Sequence, residues 1–155
     1  MPNKKWKQIS QFEDSKQSLG FLMWKTQIIW RRQLEKALSQ YDLTHPQFVL
    51  LASIAYLTQD GDTLTQAELA QHTSCDINTT SQVLRMLERK ELITRLNKVG
   101  NDKSKYPKLT THGYNKLKTV VKTVEAIDQE FFSSLTSTQA ENFRKSLIKL
   151  SDNFS

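Results

Sequence analysis

Residues 64–95 read LTQAELAQHTSCDINTTSQVLRMLERKELITR, and this stretch decides the fold of the chain. Thr65 and Glu68 form a capping box, in which the two side chains satisfy backbone N–H groups at the start of a helix. Asp76 is a good N-cap for a second helix that runs to about Lys90. Two short helices in succession, separated by a turn, predict a helix-turn-helix motif.

The second of these helices has an unusual polar face. Helical spacing directs one side toward the core, and that side is formed by Ile77, Thr80, Val83, Leu84 and Leu87. The opposite side carries hydroxyls, amides and arginines, where an ordinary solvated face carries Glu, Lys and Ala; its residues are Asn78, Thr79, Ser81, Gln82, Arg85 and Arg89. Gln or Asn can bond adenine bidentately and Arg can bond guanine, so this face predicts a helix that reads DNA bases.

A β-hairpin is predicted directly after this helix. The runs 92–96 and 106–110 have the composition of short strands and flank the polar loop 97–105. Pro107 restricts the second strand to an edge, because proline cannot donate to a ladder. We call this hairpin the wing. Its basic side chains could reach DNA phosphates and the adjacent minor groove; they are Arg95, Lys98, Lys103 and Lys105, with Lys108 at the base.

The formal net charge of +6 is unevenly distributed along the chain. Residues 85–108 carry eight basic and three acidic side chains, whereas residues 43–84 carry no basic and four acidic ones. A concentrated basic patch suits a polyanionic partner better than general solubility does. A polar helix start and a solvated lysine loop would each be ordinary alone, but their order and the charge maximum here favour DNA binding.

Amphipathic helices are also predicted on both sides of this region. Residues 16–41 and 111–134 carry long apolar stripes at helical spacing, and capping boxes at Thr44 and Thr136 start two further helices. The fold class is therefore mainly α with a small β-wing.

Three segments follow from this reading: an N-terminal segment with a dimerisation helix, a winged helix-turn-helix domain, and C-terminal dimerisation helices. They span residues 1–42, 43–110 and 111–155, respectively. The outer helices carry more apolar surface than a small winged domain could cover, which predicts self-association.

Composition excludes several classes of protein. The 155 residues, 37% hydrophobic with few Gly and Pro, predict one soluble globular unit per chain. The N-terminus lacks the apolar core of a secretory signal, and no apolar run is long enough to span a membrane. The single cysteine fits a reducing compartment. We therefore expect a cytoplasmic protein without a membrane segment.

Neither a metal site nor an active site is predicted. His45, His72 and His112 are far apart in sequence and lack the spacing of metal ligands, so we expect no metal and no cofactor. His72 and Cys75 are three residues apart, but no third orienting group or oxyanion loop accompanies them. We expect no enzymatic activity.

Two further residue types have alternative interpretations. Cys75 could sense oxidants, but a small, partly buried packing role in the turn of the motif is favoured. Trp6, Trp24 and Trp30 are interpreted as anchors of the core and of a dimer interface. A few aromatic residues could also line a pocket for a small aromatic or amphipathic effector.

Over nearly its whole length, the chain resembles the multiple-antibiotic-resistance regulator (MarR) family of winged-helix proteins. Residues 64–95 match the family's helix-turn-helix and strand start, and the LTTHG stretch at 109–113 matches its L-T-x-x-G after the wing. The resemblance implies Ser81, Gln82 and Arg85 as the residues that face the groove, with Asn78 and Thr79 near the start of the reading helix.

Two positions depart from the family pattern. The family's wing usually has Asp-x-Arg nine and seven residues before the threonine of L-T; Asn101 and Lys103 stand there, with Asp102 between them. Glu91 replaces a glycine that ends the reading helix in a left-handed conformation. Because that conformation costs a residue with a β-carbon roughly 1 kcal/mol, we expect the helix to end differently here.

The resemblance implies a homodimer that binds double-stranded DNA. Two reading helices would meet a pseudo-palindrome whose half-sites lie about one helical turn, roughly 34–36 Å, apart. The expected function is a transcriptional regulator, most often a repressor, whose DNA affinity a small molecule could lower. The alternative is a winged-helix protein-interaction module whose basic wing meets an acidic partner.

Overall fold

A computed structural model describes the backbone of residues 5–98 and 101–154, and their side chains except at 97, 98, 101–105 and 154. Six α-helices and one antiparallel hairpin occur in these residues. In chain order they are α1 (Leu19–Leu38), α2 (His45–Leu57), α3 (Gln66–Thr73), α4 (Ile77–Arg89), β1 (Ile93–Lys98), β2 (Asn101–Leu109), α5 (Thr111–Phe132) and α6 (Ser137–Phe154). The mainly helical fold with a small β-wing is as predicted.

The helix starts follow the capping residues predicted from the sequence. The hydroxyl oxygens of Thr44, Thr65 and Thr136 accept hydrogen bonds from the backbone N–H three residues on, at 3.3, 3.1 and 3.2 Å. The Gln or Glu at that third position accepts in return from the threonine N–H, at 3.2, 2.7 and 2.9 Å. Asp76 caps α4 by accepting from the N–H of Thr79 at 2.8 Å. All four starts are confirmed.

The core lies where the helix-turn-helix packs onto α1, α2 and α5. Side chains from every one of these elements are fully buried there: Leu34, Leu38, Leu50, Leu51, Ile54, Leu69, Leu84, Leu87, Leu92 and Val120. Because α4 contributes two of these leucines, the core fixes which of its faces is left outward.

The first residue of α4 lies outside that core. Thr80, Leu84 and Leu87 are fully buried as expected, but Ile77 is 48% exposed. Ile77 stands in the first turn, where its carbonyl oxygen accepts from the Gln66 side chain at 3.3 Å. Helical spacing assigned Ile77 to the correct side of α4, but at the first residue of the helix that side extends beyond the core. The prediction that Ile77 is buried was wrong.

The hairpin is longer than the sequence suggests. In the antiparallel pairing, Ile93 of β1 lies opposite Leu109 of β2, and the register continues to Asn97 opposite Lys105. After an irregularity, Lys98 lies opposite Asn101. Most of the stretch 97–105, predicted as a polar loop, is therefore strand. A polar composition is compatible with a strand here, because the ladder of backbone hydrogen bonds holds the hairpin together.

Glu91 adopts the left-handed conformation itself, with φ of +57°. Its N–H donates to the Glu88 carbonyl at 2.9 Å, and the N–H of Leu92 donates to the Leu87 carbonyl at 3.0 Å. These are the two bonds of a Schellman motif, which usually has glycine at this position. The expectation that α4 ends differently was therefore wrong: the helix ends in the usual way, at a conformational cost.

That cost predicts the effect of a substitution. Glu91→Gly should raise the free energy of unfolding by about 1 kcal/mol, because glycine adopts positive φ without strain. Glu125→Gly, at an exposed position inside α5, should lower it by about the same amount. Urea denaturation at one fixed protein concentration measures both. A loss of stability in both variants would contradict the assigned role of Glu91.

Two outer helices expose large apolar side chains that the rest of the described chain does not cover. On α1 these are Leu19, Met23 and Trp24, and on α6 they are Phe143, Leu147 and Leu150; their exposed fractions range from 42% to 83%. Of the three tryptophans, Trp30 packs on the core, whereas Trp6 and Trp24 are exposed in the single chain. Among the described residues, no helix has the length and apolar character needed to cross a membrane.

Candidate nucleic-acid interface

The outer face of α4 presents the polar residues that the sequence predicts there. Asn78, Thr79, Gln82, Arg85 and Arg89 are exposed, and Ser81 is half-buried. The opposite face is anchored by side chains with no solvent exposure. The helix thus offers an exposed row of amide, hydroxyl and guanidinium groups, which are the groups that recognise base edges in a major groove.

Ser81 and Arg85 are hydrogen-bonded to each other on this face. The Arg85 guanidinium donates to the Ser81 hydroxyl at 3.1 Å and to the Ser81 carbonyl at 3.4 Å. These bonds hold the arginine along the helix while leaving it exposed. A guanidinium held in this way still has N–H groups available for the paired acceptors of a guanine.

The N-terminal end of the face carries a carboxylate. The Thr79 hydroxyl and N–H both donate to Asp76, and hydrogen bonds from the Thr79 side chain and then its backbone lower the pKa of Asp76. The Thr79 hydroxyl proton is therefore engaged in the cap. Its oxygen can still accept a hydrogen bond from a base or from a water molecule.

Arg95 is placed differently from the sequence expectation. Its Nε and Nη2 donate to one carboxylate oxygen of Glu88 at 2.9 and 2.6 Å, and its side chain is only 19% exposed. Arg95 therefore ties β1 to α4 and does not extend from the wing toward solvent. The number of basic and acidic residues in a stretch of sequence does not show which of them pair. This pair was missed because Glu88 lies on α4, seven residues before Arg95.

Four other wing residues lie farther along the hairpin than Arg95. The backbones of Lys98, Asn101, Lys103 and Lys105 belong to β1 and β2, and their side chains lie outside the described part of the structure. Their roles stay predictions, as does the weakened Asp-x-Arg pattern at Asn101 and Lys103.

The base of the wing is joined closely to the end of α4 and the start of α5. The Thr110 hydroxyl donates to the Glu91 carbonyl at 2.7 Å and accepts from the Gly113 N–H at 2.9 Å. The Thr110 N–H donates to the Leu92 carbonyl at 3.1 Å. One threonine therefore bonds both to the connection between α4 and β1 and to the first turn of α5, which the L-T-x-x-G pattern alone did not reveal.

His45, His72 and Cys75 each contact neighbouring side chains in the structure. His45 lies edge-on to Trp30, with ring centroids 5.2 Å apart, and His72 stacks on Tyr56 at 6.0 Å. Burial first, and then the nearby positive charge of Arg31, lower the pKa of His45. Cys75 is half-buried against the core, which confirms its interpretation as a partly buried packing residue.

Comparisons with known proteins agree with this geometry. The family model described as "MarR family" matches residues 43–105. The uncharacterized HTH-type transcriptional regulator YdcH of Bacillus subtilis is 38% identical over 141 residues, which cover 91% of this chain and 95% of that protein. The HTH-type transcriptional repressor Rv2887 of Mycobacterium tuberculosis is 32% identical over 85% of this chain and 92% of its own length.

Solved structures show the same architecture with bound partners. The MepR–DNA complex of Staphylococcus aureus superposes with a TM-score of 0.78 at 26% identity, covering 92% of this chain and all of that one. Rv2887 in complex with salicylic acid superposes with a TM-score of 0.64 at 32% identity, covering 86% of this chain and 96% of that one.

Proposed function

Since this chain belongs to the MarR family of winged-helix transcriptional regulators, we propose that it binds operator DNA sequence-specifically as a non-enzymatic cytoplasmic repressor. The observation that carries the proposal is the outer face of α4. Gln82 and Arg85 are exposed there, while Leu84 and Leu87 behind them are fully buried. The likeness to the MepR–DNA complex supports the same orientation of the helix toward a duplex.

In the proposed complex, α4 specifies the sequence and the wing supplies affinity. Lys98, Lys103 and Lys105 would bind phosphates, a contribution that does not depend on sequence and weakens with salt. Asn101, on the same hairpin, would also contact DNA. Arg95 would contribute indirectly, because its ion pair with Glu88 joins β1 to the reading helix.

The functional unit is proposed to be a homodimer formed by residues 1–42 and 111–155, with residues 43–110 as the DNA-binding domain. The exposed apolar side chains of α1 and α6 are the surface that a second copy would cover. A two-fold dimer presents two reading helices to a pseudo-palindrome with half-sites about 34–36 Å apart.

A small-molecule effector is the remaining part of the proposal. The relative Rv2887 is a repressor whose solved complexes include one with DNA and one with salicylic acid. We propose that an aromatic or amphipathic molecule lowers the DNA affinity of this protein too, by favouring a dimer with a different separation of its reading helices.

Selection of bound fragments from random-sequence DNA tests the proposal. The expected result is enrichment of one inverted repeat, with its half-sites separated by about one helical turn. Enrichment of a single, unrepeated element would contradict the dimeric mode. No enrichment, together with no binding to random duplex at low salt, would overturn DNA binding and favour the protein-interaction module.

A further inference from the structure

Lys90 stands at the C-cap of α4, and its ammonium group reaches the junction between α1 and α2. Nζ donates to the carbonyl of Asp42 and, at 3.2 Å, to Oε1 of Gln47. It also lies 3.2 Å from the carboxylate oxygen Oδ2 of Asp42. An ammonium group has three N–H donors, and two of those of Lys90 are hydrogen-bonded to this junction.

The acceptors are held in place by the local backbone. Asp42 has a left-handed conformation with φ of +54°, and the next residue, Leu43, donates its N–H to the Leu38 carbonyl at 3.1 Å. Gln47 is 5% exposed, and its Oε1 also accepts from the Thr44 N–H in the capping box of α2. The Asp42 carbonyl and the Gln47 amide oxygen are thus fixed acceptors, whereas the Asp42 carboxylate is 82% exposed and adds only an ordinary surface ion pair.

Helix α5 binds the same junction from its other side. Nζ of Lys116 donates to the Tyr41 carbonyl at 2.9 Å, and the Tyr41 hydroxyl shares a 2.8 Å hydrogen bond with Thr123. Two consecutive carbonyls, those of Tyr41 and Asp42, therefore accept from two lysines. One lysine belongs to α5, and the other to the end of the reading helix.

We infer that Lys90 is a positioning residue that couples the reading helix α4 to helices α1 and α5 through the junction at residues 41–47. Apolar contacts in the core are non-directional, whereas hydrogen bonds to fixed acceptors constrain direction as well as distance. Lys90 thereby sets the angle of α4 relative to the helices that form the proposed dimer. A displacement of α5 would be transmitted to α4 through the hydrogen bonds of Lys116 and Lys90 to the junction. The inference rests on the proposed function, because the angle matters only if two copies read one DNA site.

The preference of the dimer for half-site spacing tests this inference. The probes are the duplex selected by the wild-type protein and two duplexes with one base pair inserted or removed between the half-sites. We expect Lys90→Met to reduce the preference for the selected spacing about fivefold or more, because α4 gains orientational freedom. The preference is a ratio of two affinities of one protein, so a loss of folded protein does not change it.

Two further variants keep the test specific. Lys116→Met should reduce the spacing preference in the same direction, since it removes the contact of α5 with the junction. Lys118→Met, which removes the same charge from an exposed position of α5, should leave the preference unchanged. If Lys90→Met does not fold, Lys116→Met still decides the question.

The results separate the inference from the proposed function. Unchanged spacing preference in Lys90→Met and Lys116→Met would overturn the coupling while leaving DNA recognition intact. A reduced affinity of Lys90→Met for random duplex, with a smaller dependence on salt, would show that Lys90 binds phosphate and would also overturn it. Failure of the wild-type protein to select any sequence would remove the proposed function, and the coupling with it.

Discussion

Replacing Gly113 by alanine is expected to lower the free energy of unfolding by about 3 kcal/mol, at the upper end of what overpacking usually costs. A β-carbon at this position would lie 1.9 Å from the carbonyl oxygen of Leu92 and 2.8 Å from its carbonyl carbon. Both atoms belong to the backbone at the base of the wing, so they cannot move aside like a flexible side chain. Either α5 or the start of β1 has to shift.

Gly20→Ala is the matched control for this prediction. Gly20 lies near the start of α1, and no described atom lies within 4 Å of a β-carbon built there. Alanine is the better helix former, so this variant should be more stable than wild type by about 0.5 kcal/mol. Urea denaturation of both variants at one protein concentration measures the contrast. A Gly113→Ala protein as stable as wild type would show that the wing is not packed against α5 as described.

The second large effect concerns DNA recognition. Gln82→Ala and Arg85→Ala should each weaken binding to the selected operator by about 1–3 kcal/mol and blur base preference at one position of each half-site. The physical reason is that a paired hydrogen-bonding group is lost at a base edge, while the buried side of α4 is unchanged. Fluorescence anisotropy with the operator and with single-base variants measures both effects.

Phosphate contacts provide the contrast to these base contacts. Lys103→Ala or Lys105→Ala should weaken binding to all sequences alike and reduce the dependence on salt. Lys118→Ala, at an exposed position of α5, serves as the control for loss of one positive charge. Full operator discrimination in the Gln82→Ala protein would mean that the reading face of α4 has been placed incorrectly.

Local signals made most of the fold predictable from the sequence. Capping residues such as Thr65 and Asp76 bond to backbone groups three residues away, so they act within one turn and can be recognised in a short stretch of sequence. Apolar spacing likewise identified the buried side of α4. The same signals do not show how far an element is covered by its neighbours, which is why Ile77 was wrongly expected to be buried.

Features that depend on tertiary contacts were not predictable in the same way. The polar residues 97–105 have the composition of a loop, but pairing with the opposite strand makes most of them β-structure. Arg95 counts as a wing cation in the sequence and proves to be paired with Glu88. Lys90 meets an acceptor 48 residues away, and no local pattern indicates such a partner. A short stretch of sequence does not indicate such contacts between distant elements, whereas it does show which groups α4 carries on its outer face.

The most direct measurement replaces the purines of the selected half-sites, one at a time, by 7-deaza analogues. These analogues keep Watson–Crick pairing but lack the N7 acceptor that purines present in the major groove. If α4 lies in that groove, at least one substitution per half-site should cost the wild-type protein about 1 kcal/mol or more of binding free energy. In the Arg85→Ala or Gln82→Ala protein, the 7-deaza analogue at the purine which that residue contacts should cause no such loss. Unchanged wild-type affinity at every substituted purine would contradict base reading by α4.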